Sequence, residues 1–352
     1  MLNFKLIWFD SFGAKSSCTL IELEDTVILV DPGVAIMHPS FPASYNLKLE
    51  WMREGERRIR ETAEKVDIII ITHYHYDHYM DPESLKYMGR IILAKNPNEY
   101  INDSQRRRAL KFYGKLFRLI GQVEMDDLMA EAKVGDYPDP IGKLEMALSR
   151  DYGEYWERKM NLLRKGFKWF ERRVEKWKSW RRIPEMNFKD GLETKLLFND
   201  NLTFEYGGAR VKFTEPMFHG VEFSRVGWVV GFTVEKGKYK ILYTSDLNGP
   251  IIEDYAQWII DEKPNTIILD GPMTYMLGYT LNRINLERAL DNAVRIVREA
   301  GAETIIYDHH LPREKRFREH TMRVWKTAER ENVKLVTAAE YLGRKPAVLL
   351  SN

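Results

Sequence analysis

Asp67-Ile68-Ile69-Ile70-Ile71-Thr72-His73-Tyr74-His75-Tyr76-Asp77-His78 runs from four consecutive isoleucines straight into three histidines and an aspartate within six residues. Four β-branched residues in a row predict a strand covered on both faces, as in a parallel sheet. The polar run then leaves that strand as a loop. Imidazole nitrogens and carboxylate oxygens are the usual ligands of zinc and similar divalent cations. In an irregular loop, residues two apart can converge on one point. His73 and His75 can therefore share one ion while Asp77 and His78 face another. The chain holds only eight histidines, so three in one loop make an accidental solvated cluster the weak alternative.

Further along the chain, three loops offer matching groups. His219 lies in Thr214-Glu215-Pro216-Met217-Phe218-His219-Gly220, after a strand and a turn. Asp246 ends a strand in Leu242-Tyr243-Thr244-Ser245-Asp246, and Asp308-His309-His310-Leu311-Pro312-Arg313 ends another. Taken alone, a strand-end aspartate is more often a turn or helix cap than a ligand. A lone histidine is more often a satisfied polar group. Beside a run with unmet ligand demand, the three loops read differently.

The rest of the chain supplies a framework. Lys5-Leu6-Ile7-Trp8-Phe9, Cys18-Thr19-Leu20-Ile21-Glu22-Leu23 and Thr26-Val27-Ile28-Leu29-Val30 form short apolar runs. They are separated by Asp10-Ser11-Phe12-Gly13 and Glu24-Asp25 and stopped by Asp31-Pro32-Gly33, which predicts an antiparallel meander. Pro39 and Pro42 mark a loop over residues 34–46, with His38 inside it, and a charged helix is expected over about 47–65. From 101 to 182 helical periodicity takes over. Trp156, Met160, Leu163, Phe167, Phe170, Val174 and Trp177 recur at spacings of four and three, an a/d seam that Gly166 is expected to weaken or kink. Strands return near 202–214, 227–234, 240–244, 266–270 and 304–307, with helices over about 285–299 and 313–331. Residues 1–100 and 183–352 are expected to form one domain, and 101–182 a helical insertion, an arm or a lid.

In order, the chain shows a strand-end Asp31, His-x-His-x-Asp-His at 73–78, His219, Asp246 and a final histidine at 309 or 310. This set resembles the five motifs of the metallo-β-lactamase-fold hydrolases, over about residues 1–100 and 185–345. The resemblance implies an α/β fold, a four-layer αββα sandwich, with the helical insertion outside the match. It implies two divalent cations, with zinc first and manganese or iron as alternatives. His73, His75 and His219 would hold one cation; Asp77, His78 and the last histidine the other; Asp246 would bridge them. Asp31 would orient a ligand from behind. Set beside the tRNase Z-like motif, in which Pro-Arg follows the histidine, His309 is the ligand in register. His310 is the alternative, and the unused one is free to meet substrate. Arg313 is placed to meet a phosphate. In nuclease-like relatives an acid near Asp270 helps shuttle a proton, but no histidine follows Asp270 here, so a turn is an equal reading. Tyr74, Tyr76 and Tyr79 either line the pocket or pack. The implied activity is a metal-dependent hydrolase in which two cations lower the pKa of a shared bridging water, with Asp77 and Asp246 nearest the chemistry. Phosphodiester bonds lead, and small esters or lactones follow closely. A metal-dependent oxidoreductase or sulfur-handling protein is the alternative on the same fold.

Composition narrows the field. At 352 residues and 44% hydrophobic the chain can bury a sizeable core, which excludes a disordered or collagen-like protein. No apolar run reaches the roughly 18 residues of a membrane span, and Met1-Leu2-Asn3-Phe4-Lys5 lacks the pattern of a secretory signal. One cysteine, Cys18, excludes an internal disulfide and fits a reducing cytoplasm. Gly-x-Ser-x-Gly, P-loop and Rossmann signatures are absent, which removes the serine-hydrolase and nucleotide-cofactor readings. Net charge is only +2, yet residues 150–182 carry 12 Lys+Arg against 5 Asp+Glu and four of the nine tryptophans. That segment reads as a packed seam with a wet basic face, as a nucleic-acid or phosphate contact, or as a seam for a homo-oligomer.

Overall fold

The computed structural model describes residues 2–350. The isoleucine run becomes β4 of a seven-stranded sheet, preceded by β1 (Asn3–Phe9), β2 (Ser17–Glu22) and β3 (Val27–Val30) and followed by β5 (Ile91–Ala94), β6 (Met186–Asn187) and β7 (Lys195–Phe198); β4 itself is Ile68–Ile71. The order across this sheet is β1-β2-β3-β4-β5-β7-β6. The first three strands are the expected meander. From β3 to β7 the pairing is parallel. The second half repeats the plan. Strands β8 (Thr203–Tyr206), β9 (Ala209–Phe213), β12 (Phe232–Lys236), β13 (Tyr239–Tyr243), β14 (Thr266–Asp270), β15 (Thr304–Asp308) and β16 (Lys334–Val336) lie side by side in that order. They are antiparallel up to β13 and parallel beyond it. A small hairpin, β10 (Met217–Phe218) with β11 (Trp228–Val229), stands apart.

Alternation along the strands builds the layers. Ile28, Val30, Ile68 and Ile70 point at the second sheet and pack with Val211, Phe232, Ile241 and Ile306. Leu29, Ile69, Ile71 and Ile92 point the other way, under helix α1 (Tyr45–Ala63) and helix α2 (Asp103–Leu116), with Ile59, Ala63, Ala109 and Phe112. On the far side Leu242, Ile267, Leu269 and Ile305 pack under helices Glu253–Glu262, Arg283–Glu299 and Met322–Arg330 through Ile259, Ala293, Ile296 and Val324. Helix, sheet, sheet, helix is the four-layer αββα sandwich. Among the described residues no helix is long and apolar enough to cross a membrane.

Register places the site. Val30 opposes Ile70, so Asp31 and Thr72 leave the first sheet at one end. Tyr243 opposes Ile268, and Asp270 opposes Asp308, so residues 244–246, 270 and 309 leave the second sheet together. Ligand sites in α/β sheets form at the carboxyl ends of parallel strands, and both sheets present theirs to the same cleft.

Three expectations change. The stretch 227–234 is two strands, because Val230 N donates to Thr72 O (3.2 Å) and Gly231 N to Thr214 Oγ1 (3.0 Å), which breaks the ladder. The helix expected over 313–331 is broken into Phe317–His320 and Met322–Arg330, since Arg313 is drawn to Asp10 and Glu314 is extended. The arm helix, Trp156–Ser179, is continuous through Gly166, and its buried stripe is shifted from the apolar seam. Leu163, Phe170 and Trp177 face inward as expected, but Trp156 and Phe167 are exposed. Their places facing inward are taken by Lys159, Gly166 and Arg173. Lys159 pairs with Glu222 and Arg173 with Asp103. Gly166 lies so close to Phe223 that a Cβ there would stand 2.5 Å from its ring.

Candidate metal centre

Asp31 sits in the left-handed region, φ 45°, at the end of β3. Its Oδ1 accepts from Thr72 N (2.8 Å), and its Oδ2 accepts from Thr72 Oγ1 (2.7 Å) and Tyr243 OH (2.8 Å). His78 Nδ1 lies 2.8 Å from the same oxygen, which leaves Nε2 facing the cleft. Two residues on, Gly33 passes directly under the histidine loop. A Cβ there would come within 2.3 Å of the backbone nitrogens of His78 and Tyr79. The loop is thus pinned at both its entry and its exit.

Three overlapping donor sets form: His73, His75, His219 and Asp246; Asp77, His78 and His309; and Asp246, His309 and His310, the atoms of each set all lying within 4.8 Å of one another. In the first, His73 Nε2 is 2.9 Å from His75 Nδ1, and Asp246 Oδ2 is 3.1 Å from His219 Nε2. In the second, Asp246 Oδ1 is 3.2 Å from His78 Nε2 and 3.4 Å from His309 Nε2. The two oxygens of Asp246 therefore face opposite sets. His309 Nε2 is 3.9 Å from Asp77 Oδ2. His310 also reaches the cleft, with Nε2 3.9 Å from Asp246 Oδ2. Its Nδ1 lies 2.8 Å from Asp270 Oδ1, so the histidine partner missing from the sequence after Asp270 comes from another strand end. His310 and Ser245, like Asp31, occupy left-handed backbone, at φ 61° and 55°. Such conformations persist only where surrounding packing enforces them.

The donors suit cations. His78 Nε2 and His309 Nε2 are buried and both face Asp246 Oδ1, at 3.2 and 3.4 Å, without a well-formed hydrogen bond to it; the charge of Asp246 gathers both rings around one point. Burial, with the neighbouring His78, pushes His73 well below the ordinary histidine range, and burial with His219 takes His75 down to about 3. Both rings are therefore held uncharged, the form in which an imidazole ligates a metal. Burial works against charge on Asp246, but His78 and His309 hold its carboxyl well below the usual range. Burial and the charge of Asp246 push Asp270 well above it.

One residue of the site escaped the sequence. Asp10, at the end of β1, does for His309 what Asp31 does for His78. Its Oδ1 lies 3.1 Å from His309 Nδ1 and accepts from Ser16 N at 3.0 Å; its Oδ2 accepts from His310 N at 2.8 Å and from Arg313 Nε. Burial opposes the charge on Asp10, yet Arg313 and His309 hold it far below the ordinary carboxylate range. The available signal was its likeness to Asp31: an aspartate closing an apolar strand shortly before a glycine. Arg313 is buried against Asp10 rather than lying open on the rim, with Nη1 donating to Tyr275 OH at 3.0 Å. Tyr74 and Tyr79 pack in the core. Tyr76 is 55% exposed, with Arg108 over its ring. His38 packs beside Tyr275, ring centroids 5.5 Å apart.

The metallo-beta-lactamase superfamily model matches residues 13–118. A UPF0282 protein of Methanocaldococcus jannaschii is 31% identical over 97% of this chain and 91% of its own length. One of Methanopyrus kandleri is 30% identical over 97% and 94%. Among solved structures, the metallo-beta-lactamase fold protein YhfI from Bacillus subtilis is 14% identical, covers 96% of each chain and gives a TM-score of 0.42. With full-length relatives on one side and the superfamily's histidine loop on the other, the chain belongs to the UPF0282 family of metallo-β-lactamase-fold proteins.

Proposed function

We propose that the protein is a dinuclear-metal hydrolase acting on a phosphodiester or another small ester-type bond. The observation that carries this reading is Asp246, whose Oδ1 faces His78 and His309 while its Oδ2 faces His73 and His219, so that one carboxylate stands between two donor sets. His73, His75 and His219 would hold one cation, Asp77, His78 and His309 the other, with Asp246 shared. When bound, two such cations supply a water that loses its proton near neutral pH and a Lewis acid for the developing charge. The chain's own groups do the rest. Asp31 and Asp10 fix the rings of His78 and His309 from behind, which sharpens their aim. His310, tied to Asp270 through Nδ1, presents Nε2 to the same space and can hand a proton to a leaving oxygen.

Elemental analysis of the purified protein is expected to find about two zinc or manganese ions per chain. A panel of chromogenic phosphodiesters, phosphomonoesters, lactones and thioesters, run with zinc, manganese and iron, is expected to show turnover. Asp246→Asn combined with His75→Ala is expected to remove both metal and turnover. Full metal content in that double variant overturns the ligand assignment. Bound iron with charge-transfer bands and no ester turnover moves the protein to the oxidoreductases.

A further inference from the structure

The histidine rings of the cleft are backed by groups of different kinds. Asp31 stands behind His78 and Asp10 behind His309, each facing Nδ1. A carboxylate only accepts, so each fixes a proton on Nδ1 and aims Nε2 at the cleft. Behind His219 stands Asn248 instead, with Nδ2 3.3 Å from His219 Nδ1. On its other side, His219 Nε2 lies 3.1 Å from Asp246 Oδ2. That oxygen is also an acceptor, so a ring with one proton carries it on Nε2, and Nδ1 accepts from the amide. A proton on Nδ1 would face the amide's own donors. The lone pair of His219 therefore points at Asn248, away from the other donors.

Asn248 is 1% exposed and occupies left-handed backbone, φ 55°, which asparagine tolerates better than most residues. Its backbone N donates to Asp270 Oδ2 at 2.6 Å, and the other oxygen of Asp270 holds His310. Gly220 leaves room for the amide, since a Cβ there would stand 2.9 Å from Nδ2. The backbone of Asn248 is thus fixed, but its carboxamide is not. Among the described residues the contact with His219 is the one hydrogen bond the carboxamide makes, and Oδ1 is buried without a partner. The torsion that carries the amide is broad and roughly two-fold. A half-turn about it breaks no other bond and sets Oδ1 opposite His219 Nδ1.

We propose that Asn248 is the positioning residue of His219, and that its amide makes this half-turn as the set of His73, His75 and His219 fills. With the set empty, Nδ2 donates to Nδ1 and the ring proton sits on Nε2 against Asp246. With the set filled, the Nε2 proton has gone to solvent, Nδ1 has taken one up from solvent, and Nδ1 donates to Oδ1. The proton count of the ring is unchanged. His78 and His309 need no such step, because their acids hold the ligating tautomer from the start. One set is therefore preformed and the other is completed on loading. The inference rests on the two-cation reading above and adds the order of events at one ring.

The test uses full-length wild type, Asn248→Gly and Asn248→Asp labelled with nitrogen-15, with His219 assigned by the signal lost in His219→Gln. Long-range proton–nitrogen NMR shows which ring nitrogen carries the proton. In wild type it is expected on Nε2 without zinc and on Nδ1 after zinc is added. In Asn248→Asp, whose side chain can only accept, it is expected on Nδ1 even without zinc. A wild-type proton already on Nδ1 in the zinc-free protein overturns the half-turn. Chelator competition then reads affinity. Asn248→Gly, which keeps the left-handed backbone at no steric cost, is expected to hold one zinc ion about 10- to 100-fold more weakly and the other unchanged. Asn248→Asp is expected to stay within about threefold of wild type. Unchanged affinity for both ions in Asn248→Gly, or an equal loss at both, overturns the positioning role. A wild type that binds fewer than two zinc ions defeats the two-cation reading, while the proton position in zinc-free wild type and Asn248→Asp still decides what Asn248 does to His219.

Discussion

Lys159, on the arm helix, reaches Glu222 at 2.6 Å, and Glu222 stands three residues beyond His219. Arg288, from the helix Arg283–Glu299, holds the other oxygen of Glu222 at 2.6 Å and Glu253 at 2.7 Å. All four groups are buried or nearly so. One partner missing from such a network leaves another charge stranded, at about 3–5 kcal/mol. Glu222→Gln is therefore expected to lower the unfolding free energy by about that amount and to weaken the cation set that includes His219. Denaturant melts and metal titration check both.

The same carboxylate sets a pH dependence. Burial works against its charge, but Arg288 and Lys159 hold its pKa down at about 2, against an ordinary 4.5. Its contribution to stability is complete above about 4.5 and fades as pH falls towards 2. The gap in melting temperature between wild type and Glu222→Gln is expected to narrow across that interval. A gap that stays constant down to pH 2 would refute the assignment.

Asp10→Asn strands the buried Arg313 and loosens His309. A loss of about 3–5 kcal/mol is expected from the first. A drop of about 10- to 100-fold in affinity for the cation at the Asp77, His78 and His309 set is expected from the second. Asp31→Asn is expected to match the affinity loss, read by chelator competition, since His78 leans on Asp31 in the same way.

Gly33→Ala tests the packing of the histidine loop. A methyl group 2.3 Å from two backbone nitrogens cannot be absorbed by a rotamer change. The loop must move, at about 1–3 kcal/mol. The expected signature is a fall in metal content, because Asp77 and His78 ride on the displaced segment.

Much of this was legible in the residues. The isoleucine strand, the histidine run and the strand-end acids carry their own chemistry, so β4 and the donor groups could be read locally. Asp10 carried only its local likeness to Asp31, and its role was hidden because its partners His309, His310 and Arg313 lie about three hundred residues away. The arm helix misled for a related reason. Apolar spacing pointed to Trp156 and Phe167, but the stripe that packs is completed by Lys159, Gly166 and Arg173. Each of these is accommodated by a partner outside the helix: Glu222, Phe223 and Asp103. A hydrophobic period cannot see a lysine whose counter-charge comes from another loop.

The closeness of Gly166 to Phe223, beside the Lys159–Glu222 pair, ties the fate of the arm to that of one short loop. A change made on one side alone leaves half of a lock: a charge facing nothing, or a side chain where only hydrogen fits. Arm and loop must travel together, because the shape of each is set by the other when the chain folds.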